Sequence, residues 1–162
     1  MATTNPKYQI NFLLFSSTLF FLCTFFCLNI AIAKNNETHL TKNGASNYLI
    51  VLPDKPNDNE RRAATILQEY LEKVSGAELA ITRESSSHHK KNQPKIFIGT
   101  CSSATALFAN YRDTLQLDGY RLVTHEHDLF LLGGKRNGVL YAATAFLEDV
   151  VGCRKFSAVA EY

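Results

Sequence analysis

Between Tyr48 and Gly152 the apolar residues come in two patterns, short continuous runs and positions spaced three or four apart. Tyr48-Leu49-Ile50-Val51-Leu52 is a run of strand formers ended by Pro53, and it predicts a buried strand. Ala63, Ile66, Leu67, Tyr70, Leu71 and Val74 share one helical face, while Arg61, Arg62, Glu69, Glu72 and Lys73 take the other. That helix is capped by Asn57 or Asp58, has Glu60 in its first turn and is stopped by Gly76. Leu79–Thr82 and Lys95–Gly99 predict two further strands, with an exposed polar loop, Glu84 to Pro94, between them. Ser102 to Tyr111 is alanine-rich and predicts a short helix capped by Ser102 or Ser103. Tyr120–Thr124 and Leu129–Leu132 form a hairpin through the turn His125-Glu126-His127-Asp128. Val139, Leu140, Ala143, Phe146, Leu147 and Val150 then mark the apolar face of a last helix, opened by Asn137 or Gly138 and ended by Gly152. The order β-α-β-β-α-β-β-α predicts an α+β domain of two layers, a sheet and its helices.

The start of the chain has a different pattern. Residues 1–33 carry one charged side chain, Lys7, and Phe12 to Ile32 is almost continuously apolar. Ala31-Ile32-Ala33 follows as a small-x-small cleavage site, so residues 1–33 read as a secretory signal peptide. The alternative is a retained membrane anchor over residues 12–32, since roughly 20 apolar residues span a bilayer. Membrane contact is expected only in that case. Cleavage leaves a secreted or periplasmic product in which residues 34–47 are a flexible polar leader and residues 48–162 the domain. Asn36-Glu37-Thr38 in the leader is a glycosylation sequon, with Asn36 as acceptor.

Composition narrows the partners. The chain has 162 residues and is 46% hydrophobic, which fits one globular domain and excludes a wholly disordered one. Lys+Arg 17 against Asp+Glu 15 gives +2, so no strong field invites nucleic acid. Tryptophan is absent, which weakens a sugar-stacking surface. Cys23 and Cys27 leave with the signal peptide. Cys101 and Cys153 remain, either as one disulfide or as two separate buried thiols.

Candidate chemistry is sparse. His125-Glu126-His127 lacks the spacing of a helical metal motif and reads as a solvated hairpin tip; His88-His89 reads as solvated loop. Glu148 and Asp149 are adjacent on a helix and point about 100° apart, so they cannot flank one atom as an acid and base pair. Gly99-Thr100-Cys101-Ser102 offers a weak anion site at a helix start. Gly133-Gly134-Lys135-Arg136-Asn137-Gly138 links a strand to a helix, with two cations among three glycines. It suits either a phosphate or carboxylate at the helix start, or tight backbone packing. No catalytic residue, metal ligand or cofactor site is assigned.

The motifs taken in order resemble a known family. They are Ala63-Ala64-x-x-Leu67-Gln68-x-Tyr70-Leu71-Glu72-Lys73, Ser75-Gly76-Ala77, Asp118-Gly119-Tyr120, Gly133-Gly134-x-Arg136-x-Gly138-x-Leu140-Tyr141-Ala142, Phe146-Leu147-Glu148 and Gly152-Cys153-Arg154-x-Phe156. This resembles the N-terminal domain of α-glucuronidases, itself similar to the second domain of β-hexosaminidases. The resemblance implies a zincin-like topology without metal. It also implies a non-catalytic accessory domain beside a (β/α)₈ barrel, in cis or in trans, that carries the acid and base carboxylates of xylan-type polysaccharide breakdown. In that family the turn of Gly133, Gly134, Arg136, Gly138 and Tyr141 serves packing, and Arg154 docks the barrel; an aromatic residue commonly stands where this chain has Lys155. The alternative is a stand-alone secreted module that binds carbohydrate or protein.

Overall fold

Strands that are apolar at almost every position need cover on both faces, and this sheet has it. The computed structural model describes residues 39–86 and 92–153. In chain order the elements are β1 (Leu49–Leu52), α1 (Asp58–Ser75), β2 (Ile81–Arg83), β3 (Lys95–Ile98), α2 (Ser102–Leu107), α3 (Tyr111–Thr114), β4 (Tyr120–His125), β5 (Asp128–Gly133), α4 (Gly138–Ala145) and a π-helical segment (Phe146–Val151). Together they make a mixed α/β domain on a five-stranded sheet, ordered β2-β1-β3-β5-β4. β1 pairs in parallel with β2 and β3, and β3 pairs in parallel with β5. Only the edge strand β4 is antiparallel, as the second arm of the β4–β5 hairpin.

Successive residues of a strand point to opposite faces, and the core divides accordingly. Ile50, Leu52, Ile96, Ile98 and Leu131 face α1 and α4. There Ala63 and Ala64 of α1 and Ala142 and Ala143 of α4 are fully buried, which lets the two helices approach closely. Val51, Phe97, Phe130 and Leu132 form the other face, under Cys101, Ala104 of α2 and Tyr111 of α3. Phe97 stacks on Phe130 with ring centroids 4.8 Å apart, and Phe108 meets Phe130 edge-on at 5.2 Å. The two-layer expectation is thus corrected. A thin third layer exists because β1, β3 and β5 are apolar on both sides.

α1 begins with a reciprocal capping box. The Asn57 side chain accepts from the Glu60 N–H, and the Glu60 carboxylate accepts from the Asn57 N–H, each at 2.9 Å. Gly76, at φ 72°, ends the helix and donates to the Glu72 carbonyl. Two apolar positions depart from the helical-face reading. Val74 is 57% exposed in the last turn of α1. Val150 is 65% exposed, because the chain widens to a π-helix after Ala145. A π turn adds a residue, so the inward position passes from Val150 to Val151, which packs on the core. Residues 39–47, read as leader, hold a Lys42–Ala45 bridge, and Leu40 packs against the α1 side of the core.

Candidate functional site

Two strand-to-helix turns are the places where the sequence offers an anion site. At the β5–α4 turn, space is the constraint on the glycines. A Cβ on Gly133 would lie 2.0 Å from the Val139 nitrogen, one on Gly134 2.6 Å from the Gln116 carbonyl, and one on Gly138 2.3 Å from the Gly119 carbonyl. The N–H groups that could cradle an anion already have partners. Gly134 donates to the Gly119 carbonyl at 2.8 Å, Lys135 to Gln116 at 2.9 Å and Arg136 to Leu117 at 2.8 Å. The Asn137 N–H reaches Asp118 Oδ1 at 3.1 Å, and the Arg136 guanidinium pairs with the same carboxylate. Lys135 Nζ lies 2.7 Å from Asp113. The anion at this turn is therefore Asp118 itself, and the backbone beside the three glycines leaves no room for a Cβ. Tyr141, on α4, and the Arg136 side chain are both exposed, unlike the glycines of the turn.

The Arg136 hydrogen bond holds the Asp118 carboxyl below the usual carboxylate range. A depressed folded value means the contribution is complete above the unfolded value and is lost as pH falls through the folded one. Asp118→Asn should therefore lower the melting temperature near neutral pH, and the gap to the unaltered chain should close in acid. A gap that persists unchanged into strong acid would contradict this role.

The β3–α2 turn is filled in the same way. Gly99 sits at φ 64°, and a Cβ there would lie 2.3 Å from Glu60 Oε1. That oxygen accepts from the Thr100 N–H at 2.8 Å and from Thr100 Oγ1 at 2.7 Å, so one carboxylate, 2% exposed, joins the start of α1 to the end of β3. Tyr111 donates its hydroxyl to the Gly99 carbonyl at 2.9 Å, and burial pushes its phenol up to about 12. Glu84 accepts from the Ser102 N–H at 2.6 Å, the Ser103 N–H at 2.8 Å and Ser103 Oγ at 2.7 Å. Burial alone would raise the Glu84 carboxyl, but the hydrogen bonds from Ser103 and Ser102 together hold it low. Helix α2 is thus capped by a distant carboxylate and not by Ser102 or Ser103. Glu84, the first residue of the loop read as exposed, is half-buried. Glu60 was legible as the fourth residue of an Asn-x-x-Glu capping box. Its second role at Thr100, and that of Glu84 at α2, join residues 40 and 18–19 positions apart and leave no local signal.

The remaining candidates stay apart. Among the described residues, no group of three His, Cys, Asp or Glu side chains could hold a metal ion. His125 and His127 are exposed, while Asp128 Oδ1 accepts from the Lys95 N–H at 2.8 Å and so ties the hairpin to β3. Glu148 and Asp149 are exposed. Asn36, His88, His89, Arg154 and the apolar segment 12–32 lie outside the described residues.

The disulfide alternative for Cys101 and Cys153 is corrected. Both thiols are free and buried, in core clusters on opposite faces of the sheet. Cys101 donates weakly to the Ile98 and Val51 carbonyls at 3.4 and 3.5 Å, and burial raises both thiols above their ordinary value. Iodoacetamide should modify neither residue in the folded chain and both after denaturation, as peptide mapping would show. A Cys101–Cys153 linked peptide in a non-reduced digest would refute the assignment.

Fold and turns together define a mixed α/β domain whose strand-to-helix turns are closed by its own carboxylates. Residues 31–146 match the model of the glycosyl hydrolase family 67 N-terminus, and the chain belongs to this family. The match takes in all five strands and α1 through α4. It bears out the α-glucuronidase resemblance read from the motifs, and membership implies a partner catalytic domain in the full enzyme. No curated protein matches the chain.

Proposed function

We propose that this chain serves as a non-catalytic, secreted N-terminal accessory domain of an α-glucuronidase-like hydrolase that breaks down xylan-type polysaccharide. The observation that carries this reading is the family match over residues 31–146. The geometry supports it, because Glu60, Glu84 and Asp118 are each bound to backbone N–H groups of a turn. A carboxylate engaged in this way is poorly placed to exchange a proton with substrate, whereas glycoside hydrolysis needs two free to do so. On this reading a (β/α)₈ barrel, in cis or in trans, supplies that pair. The strand and helix order is then that of a metal-free zincin-like unit, as in the second domain of β-hexosaminidases.

The purified chain incubated with aldouronic oligosaccharides should release no glucuronic acid. Release above the buffer control would overturn the non-catalytic assignment. The protein recovered from the culture medium should begin at Lys34 when its mass is measured; retention in the membrane fraction with residues 12–32 intact would overturn secretion.

A further inference from the structure

The sheet ends on β4, and among the described residues nothing pairs with its outer side. Edge strands are ordinarily blunted by brevity, lysine, proline or a bulge. The other edge, β2, is short, at three residues. β4 has six, contains no lysine or proline, and pairs residue for residue with β5 without a bulge. Its one permanent charge is Arg121.

The hairpin fixes which backbone groups of β4 face outward. His125 and Asp128 close a loop of two residues, so they exchange both of their hydrogen bonds, and bonded pairs recur at every second residue from there. Arg121, Val123 and His125 therefore direct their N–H and C=O groups to β5. The Gly134 N–H on the Gly119 carbonyl, at 2.8 Å, continues the same alternation. Tyr120, Leu122 and Thr124 direct theirs away from the sheet. Their side chains share the α4 side, where Leu122 packs on the core while Tyr120 and Thr124 are exposed.

A second copy of the chain fits this edge. An antiparallel pairing about a twofold axis at Leu122 sets Tyr120 opposite the partner's Thr124, Leu122 opposite the partner's Leu122 and Arg121 opposite the partner's Val123. The outward groups then meet as hydrogen-bonded pairs, two bonds to each, and no like charges are opposed. Moving the axis to Arg121 sets that arginine against its own counterpart. Moving it to Val123 sets Arg121 against the partner's His125. Both shifts oppose cationic groups, which costs stability, so charge selects the register at Leu122.

We propose that the chain dimerises through β4, antiparallel about Leu122, so that one sheet runs through both copies. The inference stands on the sheet edge and is independent of the hydrolase reading, whose test is sugar release. Sedimentation equilibrium of the purified chain over a dilution series tests it. The mass should be twice that of the monomer and fall to the monomer value on dilution. Thr124→Pro removes one outward N–H and leaves the β5 ladder intact, and it should give the monomer mass at every concentration. Tyr120→Cys combined with Thr124→Cys should give a disulfide-linked dimer on a non-reducing gel, because paired Cα atoms would lie about 5.5 Å apart. Neither single cysteine should do so, since its counterpart lies four residues along the strand, about 13 Å away. If the proline variant fails to fold, the cysteine pair decides alone. A monomer mass for the unaltered chain throughout the series overturns the proposal and leaves the edge to an extended peptide of another protein. A dimer that survives in folded Thr124→Pro, or that either single cysteine links as well as the pair does, overturns it equally.

Discussion

Glu60→Ala should cost the domain about 3–4 kcal/mol of folding stability, since three hydrogen bonds to one buried carboxylate are lost together. Two backbone donors, Asn57 and Thr100, and the Thr100 hydroxyl would be left facing the space the carboxylate filled. Domains of this kind have roughly 5–15 kcal/mol in all, so the loss is a large share. Glu60→Gln separates geometry from chemistry. One amide oxygen can still accept from either Thr100 or Asn57, but the amide NH₂ then meets the other donor head-on. The glutamine variant should fall between the parent and the alanine variant in urea denaturation. Three coincident midpoints would show that Glu60 merely fills space. Gly99→Ala is the complementary test, because its Cβ would intrude on the same carboxylate from the other side.

Gly133→Ala should be more damaging still, at about 4 kcal/mol or more, in the range reserved for severe core and backbone disruption. The atom that a Cβ would meet at 2.0 Å is the backbone nitrogen of Val139, which no rotamer change can move. Relief requires α4 to separate from β5, and α4 carries Ala142 and Ala143 into the core beside α1. The expected result is a chain recovered as aggregate, or one that has lost its cooperative thermal transition by circular dichroism. Gly152→Ala is the control: nothing lies within 4 Å of its Cβ, so only its positive φ opposes the change, at ~1–2 kcal/mol. A Gly133→Ala melting curve no worse than that of Gly152→Ala would show that the turn has slack the geometry denies it.

Much of the fold was legible because it is written in local periodicity. The run Leu49–Leu52, the three-and-four spacing from Ala63 to Leu71 and the hairpin around Glu126 need no knowledge of distant residues. The glycine turn was also legible as a turn, and its packing role was one of two readings open. What stayed hidden was every decision made between segments. Val74 and Val150 fit a helical face by spacing, but a helix end and a π turn leave them uncovered. Cys101 and Cys153 count as a pair in sequence, yet the sheet stands between them. Glu84 looks like the start of a solvated loop until α2 is placed beside it.

By itself, then, the amino-acid order determined which stretches become strands and helices, where they stop, and which family the chain belongs to. Those depend on side-chain periodicity, caps and motif residues within a few positions of one another. Tertiary structure alone decided that the two anion-suited turns are closed from within. Whether a helix start or a glycine turn binds a foreign anion depends on which carboxylate the fold brings to its free N–H groups. Glu60, Glu84 and Asp118 reach theirs across 18 to 40 residues of chain, a distance over which sequence spacing carries no information.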